Sequence, residues 1–238
     1  MYRKILIANW KMNGNSESLK SLAEHYINTF TEEQKVEVVL CPAHPYLSLV
    51  NDITGETSIE LGAQNIASFP KGSYTGEVSG EMLADIGCKY VIIGHSERRK
   101  LFNEQSEEIA RKIELAAQNN LIPVLCVGEE LNKRQDGSYL NSIKEQIEDS
   151  QILSQKNAVI AYEPVWSIGT GVIPTVEEIA EVVDIITTMS KAKVLYGGSV
   201  SADNSRLVSG IANLDGFLVG AASLKAEEFY AIYKSLSG

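Results

Sequence analysis

The stretch Ala158-Val159-Ile160-Ala161-Tyr162-Glu163-Pro164-Val165-Trp166-Ser167-Ile168-Gly169-Thr170-Gly171 runs an apolar segment into a carboxylate and then into a glycine-bearing loop. Its first residues are apolar without alternation, the pattern of a short strand covered on both faces. Pro164 lacks the N–H that continued pairing needs, and Gly169 and Gly171 tolerate backbone conformations closed to other residues. Glu163 therefore stands where a buried strand opens into a loop, a place suited to a base beneath a lid. The competing reading is a solvated loop acid.

Runs of the same kind recur outward from this one, at 5–9, 36–41, 59–64, 90–93, 122–127, 159–162, 194–196 and 217–219. Between them lie helical patterns at 18–30, 45–51, 79–85, 106–119, 139–150, 176–189, 204–209 and 226–235. Thr175-Val176-Glu177-Glu178 matches a capping box and marks one helix start. Eight strand-helix units in 238 residues, with strands apolar on both faces, predict a closed eight-stranded parallel (β/α)8 barrel rather than an open doubly wound sheet. No linker-like region or literal repeat interrupts it, so residues 1–238 read as one domain.

Composition narrows the partners. The chain carries 21 Lys and Arg against 31 Asp and Glu, a net charge of −10. That disfavours nucleic acid and anionic membranes, while leaving room for a small anion held by a local positive site. Cys41, Cys88 and Cys126 form no CxxC pair and cannot all pair with one another, which fits buried reduced thiols and a cytoplasmic location. The N-terminal apolar run is interrupted by Asn9 and Lys11 and reads as a first strand rather than a signal peptide. No segment approaches the roughly 20 apolar residues needed to span a bilayer.

In a parallel barrel the residues just after the strands share one rim, where chemistry is expected. That rim collects Asn9 and Lys11, His95 and Glu97, Glu129, Glu163, Gly197-Gly198-Ser199 and Gly220-Ala221-Ala222-Ser223. It holds a cation, a histidine, a base candidate and two small-residue turns after the seventh and eighth strands, where barrels commonly bind phosphate. Each residue taken singly has a plainer reading. Lys11 could be a surface lysine and His95 a satisfied structural histidine, while Glu97 and Glu129 suit ion pairs with Lys11 or nearby arginines. Arg98-Arg99-Lys100 reads as a solvated, ion-paired turn. No HExxH or paired His/Cys spacing suggests a metal.

The motifs together resemble the triosephosphate isomerase family over the whole chain. They are Asn9-Trp10-Lys11-Met12-Asn13, Gly62-Ala63-Gln64-Asn65, Thr75-Gly76-Glu77-Val78-Ser79, Gly94-His95-Ser96-Glu97-Arg98-Arg99, Cys126-Val127-Gly128-Glu129, Ala161-Tyr162-Glu163-Pro164-Val165-Trp166, Tyr196-Gly197-Gly198-Ser199 and Gly216-Phe217-Leu218-Val219-Gly220. The resemblance implies a TIM barrel and a cofactor-free, metal-free interconversion of dihydroxyacetone phosphate and D-glyceraldehyde 3-phosphate through an enediolate, in glycolysis and gluconeogenesis. It assigns Glu163 as the catalytic base, His95 as the electrophile and proton shuttle, Lys11 as the stabiliser of negative charge, Asn9 as a substrate contact and Glu97 as support for the lysine. A neutral imidazole with its pKa lowered by a helix N-terminus, and a loop that closes over substrate, are properties of this same family taken over by resemblance. The implied phosphate donors are the backbone N–H groups of Gly169, Ser199, Gly220 and Ala221, with a lid over 165–173. The loop 64–77, through Thr75, is implied to reach a partner's site in a homodimer.

Three features depart from the family pattern. Ala221 replaces a second glycine, Val172-Ile173-Pro174 replaces the usual far hinge of the lid, and the segments 139–157 and 187–194 are short. Two other classes share parts of the pattern: another phosphosugar barrel enzyme, such as an aldolase, and a catalytically silent barrel used for binding.

Overall fold

The apolar runs form strands β1 (Lys4–Asn9), β2 (Val36–Cys41), β3 (Glu60–Ala63), β4 (Cys88–Ile93), β5 (Ile122–Val127), β6 (Val159–Tyr162), β7 (Lys193–Tyr196) and β8 (Gly216–Val219). The computed structural model describes residues 4–30, 35–168 and 172–237. All eight strands are parallel and pair in sequence order, and β1 also pairs with β8, so the sheet closes on itself. The intervening helices are α1 (Ser16–Thr29), α2 (Leu47–Thr54), α3 (Gly80–Asp85), α4 (Ser96–Phe102), α5 (Ser106–Gln118), α6 (Leu131–Gln135), α7 (Tyr139–Asp149), α8 (Val176–Met189), α9 (Ala202–Val208) and α10 (Ala226–Ser237).

The two faces of the sheet explain the missing alternation in the strands. Ile5, Ile7, Val39, Ile92, Val124, Val159 and Leu218 form one buried cluster, while their chain neighbours Leu6, Val38, Val91, Leu125, Ile160 and Phe217 join another with the helices. Successive side chains in a strand point to opposite faces, so the first set fills the barrel and the second packs beneath the helical ring. Carrying the inward parity along gives Asn9, the last residue of β1, after Ile7, and Glu163, one residue past β6, after Ala161. The fold thereby aims both residues over the barrel axis. Cys41, Cys88 and Cys126 are buried and unpaired, as their apolar surroundings predict.

The helix starts follow local chemistry. The Thr175 hydroxyl accepts from the Glu178 N–H at 3.2 Å, and Glu178 Oε2 accepts from the Thr175 N–H at 2.8 Å, which completes the capping box expected from the sequence. Elsewhere the structure corrects the sequence. The pattern at 45–51 begins as a 3₁₀ turn, His44–Tyr46, and continues as α2 to Thr54. Helices α4 and α6 were not anticipated, since seven and five mostly polar residues carry little periodicity. Arg98-Arg99-Lys100 is therefore helical rather than a turn. Arg99 is also not a freely solvated side chain: its Nε donates to Gly94 O at 2.8 Å and its Nη2 to Cys126 O at 3.1 Å, tying the ends of β4 and β5 together.

Barrel closure depends on one bare backbone position. Gly216 has φ +147, and a Cβ there would stand 1.8 Å from the carbonyl oxygen of Ile5 on the neighbouring strand. Gly216→Ala forces β8 away from β1 and should cost about 2–4 kcal/mol, measured as a lower urea midpoint. Gly210→Ala is the control. Its Cβ would lie 3.4 Å from Leu207 O, an ordinary contact, and it should change stability by no more than about 0.5 kcal/mol.

Candidate active site

Lys11 leaves β1 in a conformation that side chains other than glycine avoid, with φ +52. Two neighbours hold it there. Asn9 Oδ1 accepts from the Lys11 N–H at 3.1 Å, and Gln64, just beyond β3, donates from Nε2 to the carbonyls of Lys11 and Cys41, each at 2.9 Å. Lys11 Nζ forms a short ion pair with Glu97 Oε1 on α4, which gives Glu97 the supporting contact expected of it. Backbone strain that surrounding groups hold in place is common where a side chain must be aimed at a ligand.

His95 is the N-cap of α4, and its Nδ1 accepts from the backbone N–H of Glu97 at 3.2 Å. That bond leaves Nε2 to carry the ring proton. Nε2 lies 2.9 Å from Glu163 Oε1, and Glu163 Oε2 accepts from the Ser96 N–H at 2.9 Å. The N-terminal turn of α4 thus holds both His95 and Glu163, and its dipole favours the carboxylate.

Glu163 is only 2% exposed, so its charge needs these donors. Burial pushes its pKa up, but the His95 ring and the Ser96 N–H outweigh burial and hold it below the usual carboxylate value. On His95 the influences run the other way. Burial disfavours an imidazolium, while the adjacent Glu163 carboxylate favours one and raises the pKa overall as long as the two touch. The Nδ1 acceptor bond opposes that charge, because a protonated Nδ1 would face the Glu97 N–H.

Space for Glu163 comes from its neighbours. A Cβ on Gly128 would meet Glu163 O at 1.7 Å, so β5 and β6 approach this closely only because residue 128 has no side chain. Asn9, Lys11, His95, Glu97, Glu163, Ser199, Gly220 and Ala221 all line one cavity of about 410 Å³ at the barrel mouth. Gly220 leads into a 3₁₀ turn, Ala221–Leu224, closed by Ser223 N–H to Gly220 O at 2.9 Å. Ala221 is not among the described residues with positive φ, so its Cβ brings no backbone strain here. Ser199 Oγ donates to Ser167 O at 3.0 Å, joining the turn after β7 to the segment after β6. Gly169 lies outside the described residues, as do residues 170 and 171 of the expected lid. Among the described residues, no group of three or more His, Cys, Asp or Glu is placed to hold a metal ion.

Glu129 is drawn into this region through the loop rather than through Lys11. Its Oε1 accepts from Trp166 Nε1 at 2.8 Å and from Tyr162 OH at 3.1 Å, with Arg134 Nη1 3.7 Å away. Ser96, Gln64, Arg99 and Arg134 are the residues the sequence did not single out. Gln64 and Ser96 each follow the rim position of a strand, a signal that could have found them. Arg99 and Arg134 act through long side chains across the fold and leave no local pattern.

A profile of the triosephosphate isomerase family matches residues 4–236. The triosephosphate isomerase of Rhodopirellula baltica is 42% identical, with 99% of this chain and 98% of that protein aligned. That of Magnetococcus marinus is 37% identical over the whole of both. The crystal structure of triosephosphate isomerase from Bartonella henselae superposes with a TM-score of 0.91 at 35% identity, covering both chains completely.

The contact between Ser96 and Glu163 makes a test. Proline suits the first position of a helix, and His95, at φ −52 and ψ 142, already has the extended conformation that proline demands of the residue before it. Ser96→Pro should therefore fold within about 1 kcal/mol of wild type while losing the Ser96 N–H and hydroxyl, both of which lower the Glu163 pKa. With these donors to its charged form gone, Glu163 should titrate at higher pH in a 13C NMR titration of the unliganded protein. An unchanged titration would show that they do not control the carboxylate.

Proposed function

Since the chain belongs to the triosephosphate isomerase family and so interconverts dihydroxyacetone phosphate and D-glyceraldehyde 3-phosphate in glycolysis, we propose that Glu163, His95, Lys11 and Asn9 carry the reaction. The observation behind this assignment is that a buried carboxylate, an imidazole N–H and an ammonium line the same cavity. Glu163 takes a proton from the carbon beside the carbonyl and returns one to the neighbouring carbon. The negative charge of the enediolate falls on oxygens that face the Lys11 ammonium and the Nε2–H of His95. Such donors are effective because their direction is set before the reaction begins. His95 moves a proton between the two oxygens, Asn9 contacts the substrate, and Glu97 steers Lys11.

The phosphate is assigned to the backbone N–H groups of Gly169, Ser199, Gly220 and Ala221, where little side-chain bulk blocks an anion. A lid over 165–173 excludes water from the enediolate and so strengthens the surrounding electrostatic contacts. No step in this scheme calls for a cofactor or metal.

We also propose a single-domain, cytoplasmic homodimer in which the loop 64–77 and Thr75 reach the partner's site. The support is apolar surface on the rim near the first four strands. Phe69 and Tyr74 stack at 3.9 Å between ring centroids on that loop, and Met12 and Phe102 are 94% and 67% exposed. Large exposed apolar side chains of this kind suit an interaction surface. No helix among the described residues is long and apolar enough to cross a membrane.

Glu163→Gln keeps the shape of the side chain and removes the proton acceptor. In a coupled assay with glyceraldehyde 3-phosphate, kcat should fall by about a thousandfold or more. A folded variant keeping over about a tenth of wild-type kcat would remove Glu163 from the role of base. For assembly, light scattering at micromolar concentration should return twice the 26.0 kDa chain mass. An active species with the mass of one chain would contradict the dimer.

A further inference from the structure

Tyr26 lies on the buried face of α1, where the spacing Leu19, Ala23, Tyr26 turns one stripe of the helix inward. Three other rings box it in. Phe30 stacks on it at 5.8 Å between centroids, Phe229 of α10 meets it edge-on at 5.2 Å, and Trp10, one residue past β1, is tilted against it at 6.2 Å. A phenylalanine would pack in this box as well as a tyrosine, and a buried hydroxyl is unfavourable unless it is bonded. The Tyr26 hydroxyl donates to Ser223 O at 2.7 Å, with both residues fully buried.

Ser223 in turn fixes a peptide of the cavity wall. Its N–H and its hydroxyl both donate to Gly220 O, at 2.9 Å and 2.6 Å. A trans peptide carries its carbonyl and the following N–H in opposite directions, so holding Gly220 O toward Ser223 turns the Ala221 N–H away from Ser223. Gly220 and Ala221 line the cavity that holds Glu163, His95 and Lys11, while Ser223 is buried behind them. The direction of this N–H is therefore set by a chain of bonds that begins at Tyr26.

We propose that Tyr26 is a positioning residue for the phosphate group of the substrate: its hydroxyl holds the turn after β8 so that the Ala221 N–H is aimed at the anion before it binds. The proposal rests on the assignment above of the phosphate to this turn. A donor whose direction is already set gives up little on binding, and one free to swing must first be ordered. Tyr26 does not line the cavity, so its influence runs through Ser223 and Gly220. It falls on the phosphate end of the substrate, and a triose without phosphate gives the turn nothing to bind.

Inorganic phosphate is the probe, used as a competitive inhibitor of glyceraldehyde 3-phosphate turnover at constant ionic strength. Tyr26→Phe keeps the ring and removes only the hydroxyl. It should raise the inhibition constant of phosphate about threefold or more and lower kcat/KM for glyceraldehyde 3-phosphate by a similar factor, while changing kcat/KM for unphosphorylated glyceraldehyde less than about twofold. A role confined to core packing would move the two substrates together. Ser223→Ala removes one of the two donors to Gly220 O, so it should weaken phosphate in the same sense, and it carries the test if Tyr26→Phe does not fold. In the double variant the loss should be smaller than the product of the single losses, since both act on one chain of bonds. An unchanged inhibition constant, equal losses on the two substrates, or fully multiplicative losses in the double variant would overturn the proposal. Wild-type protein that turns over glyceraldehyde 3-phosphate without competitive inhibition by phosphate would overturn the phosphate assignment itself and the proposal with it, before any variant is compared.

Discussion

Two backbone N–H groups at the start of α4 hold the site together. The Ser96 N–H donates to Glu163 and the Glu97 N–H to His95. A carboxylate as buried as Glu163 needs donors to stay charged, and the Ser96 N–H joins the His95 ring in that role, while an imidazole whose Nδ1 had no donor opposite it could present either nitrogen to the cavity. The same turn of helix thus helps keep one group charged and fixes the tautomer of the other. Because Glu97 belongs to this turn, its side chain also brings Lys11 into register with both. A shift in α4 would move the base, the electrophile and the cation together.

The barrel makes that turn effective by bringing it to the right neighbours. Inward parity on β1 and β6 points Asn9 and Glu163 over the barrel axis, and the absent side chain at Gly128 lets β5 and β6 close around the carboxylate. Arg99 fastens the ends of β4 and β5 through two carbonyls, so the loop that starts α4 is tied to the sheet on both sides. Lys11 keeps an unfavourable backbone angle because Asn9 and Gln64 satisfy its amide and carbonyl. Preorganisation here is a chain of backbone hydrogen bonds, and the charged side chains are its last links.

The strands were legible because they are buried on both faces: an uninterrupted apolar run such as 159–162 has few other uses, and its observed bounds are the same. Helix α8 was legible through Thr175 and Glu178, whose reciprocal bonds need only local spacing. Helix α4 was not. It is seven residues long, its cap is a histidine, and Glu97 and Arg99 make their contacts with the ends of other strands. Reading Arg98-Arg99-Lys100 as a solvated, ion-paired turn held for the Arg98–Glu104 ion pair and the exposed Lys100 but not for Arg99, whose partners are the Gly94 and Cys126 carbonyls, which no spacing rule connects. The rim residues were found because strand ends can be counted. The links among them, from Gln64 to Lys11 and from Arg134 to Glu129 and Glu178, exist only once the barrel has closed.

Isotope exchange reaches the central claim, that Glu163 moves a proton through an enediolate, most directly. Dihydroxyacetone phosphate would be turned over in D2O, with product and remaining substrate analysed by NMR. A carboxylic acid formed by abstraction can exchange its proton with solvent before returning it, so deuterium should enter at the carbons flanking the migrating carbonyl. Glu163→Gln should lose that exchange together with isomerisation. Isomerisation by a folded Glu163→Gln at close to the wild-type rate, with deuterium still entering the product, would contradict the account.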